Sequence, residues 1–402
     1  MKLAFFSDTY LPTRDGVAAV VSGLARELTR LGHAITVYTP NPKKGAPTEE
    51  VTIEGIPVVR PRAVPMPLYG EYRWAVFPFG QALRRQLGRD VDVIHLHTPG
   101  MLGTTAFFAA RHQRKPLVGT FHSNLWAMRE SFPRTLLLRL FFRTAWWYTR
   151  GTYWRCDLTT APTEEARASL VRLSRKPFRR PVEVVPNGIE LERFHPGIRV
   201  PDWRERCGFP GDPLVTYLGR LTADKGIHRF LDAVEDASAQ ADLVAIVAGT
   251  GPEEPAVRAR LHRSPRLASR VRYVGPVAEE EKGALLSQSD LFVLPSTSDT
   301  SSVALLEAMA CGVACVASDV GGPQDLIVDG VTGRLSSVLD RGPLAQTIID
   351  LLERDPERRA LGASAARYAQ NAASIGATAR RFISLYELLL TEVPHGVAGR
   401  TG

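Results

Sequence analysis

The chain has 402 residues, 44% hydrophobic and 23% charged, and a formal net charge of +8. That length exceeds one ordinary hydrophobic core and suits two, and the composition is ordinary for a soluble globular protein. Residues 1–200 hold 29 Lys and Arg against 16 Asp and Glu, the remaining 202 hold 21 against 26, and a basic half beside an acidic one points to an anionic partner, lipid or nucleic acid.

At the N-terminus Met1-Lys2 leads straight into Leu3-Ala4-Phe5-Phe6, and Asp8 follows too soon for the apolar centre of a signal peptide. No apolar run reaches the length of a membrane span. The expectation is a protein that neither crosses a bilayer nor takes the usual secretory route. Strand-like runs follow at Leu3–Ser7, Ile35–Thr39, Val93–His97, Leu117–Phe121, Leu158–Ala161 and Val182–Val185. Val20–Leu31 has helical spacing and stops at Gly32, a C-terminal cap. Val51–Ile53 and Ile56–Val59 flank Glu54-Gly55 as a hairpin, whose second strand Pro57 would confine to an edge.

Pro186-Asn187-Gly188 ends this series with a turn. A second begins at Leu214–Leu218 and continues through Leu243–Val247, Val271–Val274, Leu291–Leu294 and Ala314–Ala317. Residues 344–392 read as helical and Pro394–Gly402 as a frayed tail. Strands alternating with helices in both halves predict an α/β class with two parallel-sheet domains, 1–190 and 191–375. Residues 376–402 form a final helix and tail that returns to the first domain. Cys156, Cys207, Cys311 and Cys315 are scattered, with no CxxC pair or zinc-ligand spacing, and read as reduced cytosolic thiols.

Open parallel sheets bind ligands at the carboxyl edge of their strands, so residues just after strands carry the chemical argument. In the second half Gly219-Arg220-Leu221 follows a strand and Lys225-Gly226 comes five residues on. Two cations there suit a diphosphate leaving group, whose charge grows as the sugar bond breaks; taken singly, each also reads as a solvated surface residue. Gly249-Thr250-Gly251-Pro252 lets a backbone approach a ligand, although turn chemistry explains it equally well. Next comes Ser296-Thr297-Ser298-Asp299-Thr300-Ser301-Ser302-Val303, then a helix through Glu307 that Gly312 closes. Ser301 or Ser302 serves as N-cap, and the free amides of that helix start form an anion site. Asp299 and Glu307 are placed to accept bonds from hydroxyls of the transferred sugar and the ribose. As alternatives, Asp299 is another N-cap and Glu307 an ordinary helical Glu.

In the first half, Phe6-Ser7-Asp8-Thr9-Tyr10-Leu11-Pro12 runs on to Arg14-Asp15-Gly16-Val17 between a strand and a helix, without P-loop spacing. His95 and His97 share one strand face, a metal pair by spacing but lacking a third ligand, so a hydrogen-bonded structural role is favoured. Asp90-Val91-Asp92 precedes its strand and is discounted. Residues 134–155 interleave Arg134, Arg139, Arg143, Arg150 and Arg155 with Phe141, Phe142, Trp146, Trp147 and Tyr148, and Arg175-Lys176-Pro177-Phe178-Arg179-Arg180 extends the basic run. The pattern fits equally a helix at a bilayer interface and a core helix with a solvated Arg edge. No nucleic-acid motif accompanies the charge.

The second half closely resembles the family-4 retaining glycosyltransferases. The matching words are Tyr217-Leu218-Gly219-Arg220-Leu221, Lys225-Gly226, Val247-Ala248-Gly249-Thr250-Gly251-Pro252, Leu306-Glu307-Ala308-Met309-Ala310-Cys311-Gly312 and Ser318-Asp319-Val320-Gly321-Gly322. The resemblance implies the GT-B fold, two Rossmann-like domains facing across a cleft, with nucleotide on the second and acceptor on the first. It implies that Arg220 and Lys225 hold the diphosphate and Glu307 the ribose. Asp299 then touches the donor sugar, while amides of Ser301, Ser302 and Val303 approach sugar and phosphate. Gly16 lies close to the donor and His122 beside the transferred sugar. Asp299 stands where the family usually has Glu. The words Ser7-Asp8-Thr9-Tyr10-Leu11-Pro12, Tyr72-Arg73-Trp74-Ala75, His95-Leu96-His97-Thr98-Pro99 and Phe121-His122 resemble the glycolipid-forming branch of diacylglycerol glucosyltransferases, sulfoquinovosyl transferases and lipid mannosyltransferases.

The resulting expectation is a retaining, metal-independent hexosyltransferase without a cofactor. It takes a UDP- or GDP-linked sugar to a membrane lipid, and is cytoplasmic and peripheral on the inner face of the cell membrane. It binds no nucleic acid. A soluble transferase acting on a small molecule or polysaccharide, and a non-catalytic sugar-nucleotide-binding protein, are the alternatives.

Overall fold

A computed structural model of the chain describes residues 1–13, 15–66, 69–76, 91–122, 135–172, 174, 177–200, 203–206, 208, 211–337 and 342–392. The readings placed on Arg14, Asp90, Arg134, Arg175, Lys176, Cys207 and the tail 394–402 lie outside the described residues, as does the side chain of Tyr72. The chain divides into two compact units. Met1–Ser123, Leu140–Gly188 and Ile375–Gly402 make up the first, Asn124–Arg139 and Ile189–Ser374 the second.

The first unit holds β1 (Lys2–Phe6), β2 (Ala34–Tyr38), β3 (Glu49–Ile53), β4 (Ile56–Arg60), β5 (Ala63–Met66), β6 (Tyr69–Ala75), β7 (Val93–Leu96), β8 (Leu117–Thr120), β9 (Leu158–Ala161) and β10 (Glu183–Val184). Eight of them form one sheet in the order β10-β9-β8-β7-β1-β2-β4-β3, parallel except at the β3–β4 hairpin. Its helices include α1 (Gly16–Arg30), α2 (Met101–Gln113) and α3 (Leu136–Trp154), the last beginning in residues of the second unit. Asp15 caps α1 by accepting the Ala18 N–H at 2.8 Å, and Gly32 follows it at φ +87°. One face of α1 (Val21, Leu24, Leu28) packs with Phe382, Leu385, Tyr386 and Leu389 of the final helix, Ile375–Glu392. Each such side chain, fully buried, contributes about 1.5–3 kcal/mol.

Two expectations change here. Pro57 does not mark an edge: β4 lies between β2 and β3, and β3 is the edge. The β2 pairing begins at Val58, so no ladder bond on that side needs the N–H that Pro57 lacks. Tyr72-Arg73-Trp74-Ala75, to which the sequence assigns no element, falls in β6, which with β5 forms a separate two-stranded sheet. Pro61, Pro65 and Pro67 mask its period, and its strands exist only by pairing with each other.

In the second unit the sheet is wholly parallel. It comprises β11 (Leu214–Leu218), β12 (Val244–Ala248), β13 (Val271–Gly275), β14 (Leu291–Leu294), β15 (Ala314–Ser318) and β16 (Arg334–Ser336), in the order β13-β12-β11-β14-β15-β16. Every residue of β11, β12, β14 and β15 is buried. That is why these strands read as unbroken apolar runs: a parallel sheet is covered on both faces. β16, three residues long with only Leu335 apolar, carries no such signal.

Candidate functional site

In each sheet the order reverses beside the first strand of the unit: β1 has β2 on one side and β7 on the other, β11 has β12 and β14. The carboxyl ends of such strand pairs form a crevice where open α/β sheets take ligands.

In the second unit the loops that leave β11 and β14 are clamped backbone to backbone. Gly226 sits at φ +72°, where a Cβ would lie 2.0 Å from the Pro295 carbonyl oxygen, so no other residue lets the Lys225 turn approach β14 so closely. Thr297 N–H donates to the Asp224 carbonyl at 2.8 Å across the same junction. The result brings the Lys225 Nζ to 2.6 Å from Asp299 Oδ2, with the Asp299 side chain nearly buried and Lys225 partly exposed. Buried Tyr217 donates its hydroxyl to the Arg220 carbonyl at 2.9 Å and contacts that of Lys225 at 3.4 Å, tying the two cationic residues to one anchor. On the other flank Gly322 N–H donates to the Asp299 carbonyl at 2.7 Å. Asp299 is therefore held from both sides.

Ser302, not Ser301, caps the helix α4 (Val303–Ala310) by accepting the Leu305 N–H at 3.3 Å. Val303 is its first residue, and both serines are buried beside the helix start. Gly249 and Gly251 have a packing explanation: a Cβ would come to 1.8 Å from the Gly219 carbonyl oxygen and 2.3 Å from that of Leu221. These glycines let one loop lie on another.

Glu307 is buried on α4, and its Oε1 lies 3.5 Å from Lys282 Nζ. Burial pushes the carboxyl up to about 7, with Lys282 opposing and Glu279 adding to the rise. Burial works against the Lys282 charge, yet Glu307 and Glu279 outweigh it and raise its pKa. Lys282 Nζ also lies 2.6 Å from Glu279. The sequence reading missed both partners. Their signal, Glu279-Glu280-Glu281-Lys282 ahead of an apolar run, is that of any charged helix start.

In the first unit Gly16 opens α1 on an exposed turn, at the helix end where amides are free. His122 follows β8 and is buried, its Nε2 3.2 Å from His97 Nδ1. Burial pulls His122 down to about 4, so it meets a partner as a neutral hydrogen-bonding ring rather than a cation. His95 has both nitrogens engaged, with the Tyr386 and Thr120 hydroxyls, each at 2.7 Å. Asp8, which the sequence reading passed over, lies two residues past β1. Its Oδ2 accepts the Thr98 hydroxyl at 2.7 Å and the Gly100 N–H at 3.0 Å, whereas Oδ1 is buried without a partner. Burial raises it to about 6 against those bonds. Among the described residues no three His, Cys, Asp or Glu side chains gather to hold a metal, and no helix is long and apolar enough to cross a membrane.

Gly16 and His122 thus belong to one unit and Arg220, Lys225, Asp299, Ser301, Ser302, Val303 and Glu307 to the other. Within the second unit Asp299 is paired with Lys225, while Glu307 has its own partner, Lys282.

A family model described as Glycosyltransferase Family 4 matches residues 14–193, and one described as Glycosyl transferases group 1 matches residues 212–354. The chain is 29% identical over 344 residues to a GDP-mannose-dependent alpha-mannosyltransferase of Mycolicibacterium smegmatis, covering 84% of this chain and 85% of that protein. Identity to an alpha-monoglucosyldiacylglycerol synthase of Streptococcus pneumoniae is 27% over 388 residues, 95% and 85% of the two chains. For an alpha-D-kanosaminyltransferase of Streptomyces kanamyceticus it is 30% over 302 residues, 73% and 74%. A solved sucrose-phosphate synthase of Thermosynechococcus elongatus matches with a TM-score of 0.78 at 20% identity, over 97% of this chain and 99% of its own, a likeness of fold. The chain therefore belongs to the family-4 and group-1 glycosyltransferases, and it is a retaining, nucleotide-sugar-dependent enzyme of GT-B fold.

Proposed function

We propose that the second unit grips the diphosphate of a UDP- or GDP-linked hexose and that the acceptor is a membrane lipid, such as diacylglycerol or a glycolipid. For the donor, Arg220 and Lys225 take the phosphate charge together with the amides at the start of α4. An ammonium has three donors. Asp299 occupies one on Lys225, which leaves two for phosphate oxygens. Asp299 then turns its remaining acceptor capacity to a hydroxyl of the transferred sugar, and Glu307 accepts from the ribose. Retention is served by charge stabilisation on the departing diphosphate rather than by a protein nucleophile. In the first unit neutral His122 orients a sugar hydroxyl, and Gly16 lets the α1 amides come close to the donor.

The acceptor reading is carried by the outward stripe of α3. Leu136, Leu137, Leu140 and Trp147 are 83%, 77%, 55% and 67% exposed, a rare fate for four large apolar side chains on one helix. Arg139 and Arg143 are exposed among them, while Phe142, Trp146 and Tyr153 turn inward. A helix with apolar groups facing out between arginines suits an anionic bilayer surface, where each basic group adds about 1 kcal/mol. The diacylglycerol-lipid synthase among the relatives supports the same direction.

Flotation with phosphatidylglycerol vesicles, followed by sugar transfer from UDP- and GDP-hexoses to lipid and to soluble acceptors, tests this. Binding and lipid transfer support it. Transfer to soluble acceptors alone, with no vesicle-bound protein, overturns the lipid assignment and leaves the donor site standing.

A further inference from the structure

At the amino ends of β8 and β9, the other end of β8 from His122, the first unit has a cavity of about 240 Å3. A liquid water occupies about 30 Å3, so the space takes a small anion with its hydration. Five cations line it: Arg111, Arg114, Lys115, Arg155 and Arg179. The one carboxylate in the lining, Asp157, is already engaged by Arg179 Nη1 at 3.0 Å and by the Leu117 N–H at 3.0 Å. Among the described residues no carboxylate forms an ion pair with Arg111, Arg114, Lys115 or Arg155. The guanidinium carbons of Arg111 and Arg155 each lie 5.7 Å from the centre of the Phe107 ring, so two like charges gather about one aromatic ring.

The ordinary explanation falls short. Basic residues are favoured at a helix C-terminus, and α2 ends here. Two carbonyls of its last turn already have backbone donors, however: the Arg114 N–H serves Ala110 and Arg111, and the Lys115 N–H serves Ala110 as well. Arg114 also stands in the left-handed region, at φ +54°, where Gly or Asn ends a helix without strain. A side chain there costs about 1 kcal/mol, and strain of this kind collects where a residue is needed for something else.

We propose that this pocket binds a phosphate ester. Several guanidiniums around one hollow match the charge and the paired oxygens of a phosphate, which a guanidinium meets two bonds at a time. The pocket contains none of the residues assigned to the sugar donor, and the inference does not depend on which acceptor is used.

The test uses the full chain, as wild type and with Arg220→Ala and Lys225→Ala, the second telling phosphate held at the proposed donor site from phosphate held in the pocket. Inorganic phosphate is titrated against chloride at matched ionic strength, and phosphatidylcholine vesicles are compared with and without phosphatidic acid. The wild type should show a saturable rise in Tm with phosphate, or binding confined to the phosphatidic acid vesicles. Arg111→Gln with Arg155→Gln should weaken either response at least tenfold. Arg114→Gly, which keeps the left-handed turn and removes one charge, should weaken it less while raising Tm without ligand. A phosphate response makes the natural ligand a soluble ester, and a vesicle response alone makes it a lipid headgroup. Undiminished binding in folded pocket variants, a response lost with Arg220→Ala and Lys225→Ala instead, or a wild type that responds to phosphate no more than to chloride and to both vesicles alike, overturns the proposal.

Discussion

The Lys225 ammonium lies 2.6 Å from the Asp299 carboxylate, although 74 residues separate them in the chain. Gly226 on one loop and the Thr297–Asp224 bond on the other set that distance. The pair joins the cation proposed for the phosphate to the acid proposed for the sugar, so a change at either residue is felt at both.

Asp299→Ala should lower kcat/KM at least about tenfold, ~1.4 kcal/mol in barrier, with helical content intact. Asp299→Glu adds one methylene while keeping the charge, and should reorder the relative kcat/KM among donor sugars. Wild-type rates for every donor in both variants would reduce Asp299 to a turn residue.

Glu307 carries a pH signature. Its carboxyl sits near 7 in the folded chain and 4.5 in the reference state. Below about 4.5 both states hold the proton; as pH rises toward 7 only the unfolded chain releases it, so the folded state loses stability. The loss is about 1.4 kcal/mol per pKa unit. Glu307→Gln cannot titrate, so its stability relative to wild type should rise between pH 5 and pH 8 as read by urea midpoints. Its donor KM should rise too, since an amide replaces the acceptor proposed for the ribose. A stability difference independent of pH would sink the assignment.

The histidines act with the opposite sign. His122 titrates near 4 when folded against 6.5 in the reference state, and burial depresses His95 and His97 in the same direction. The stability contributed by their staying neutral is present above about 6.5 and is lost as pH falls toward 4. His122→Asn should therefore lose less stability than wild type between pH 7 and pH 4.5. Asp8, held near 6 by burial, changes in the same window with the contrary sign, so the informative quantity is the difference between the two proteins. Parallel acid profiles would mean that His122 is accessible to protons.

Trp147 and Leu140 offer a test of the α3 stripe with little risk to the fold, because both are exposed. Leu140→Glu with Trp147→Glu should reduce flotation with anionic vesicles by tenfold or more, while transfer to a water-soluble acceptor analogue changes less than twofold. Equal losses in both assays would place these residues in the structure of the unit rather than at a membrane.

Much of the fold was legible in the chain. Strands such as Leu214–Leu218 and Leu291–Leu294 announce themselves because both their faces are covered. Arg220, Lys225, Asp299 and Glu307 were marked by their positions just past strands or on the following helix. Asp8 and Lys282 were not, because their significance lies in partners: Thr98 and Gly100 for the first, Glu307 for the second. Nothing local distinguishes a lysine that will meet a buried carboxylate from one that will face water.

Amino-acid order alone determined the α/β class, the two series of strands and the residue types awaiting a sugar nucleotide, since these follow from periodicity, breakers and composition within short windows. Only the tertiary structure decided that Pro57 sits inside a sheet, that Ser302 rather than Ser301 is the cap, and that the Asp299 carboxylate accepts from the Lys225 ammonium. It also brought Arg111, Arg114, Lys115, Arg155 and Arg179 around one hollow. The physical reason is the same in each case. Register, hydrogen-bond partners and charge clusters depend on which distant segment packs alongside, and that is settled by the burial and close approach of the whole unit.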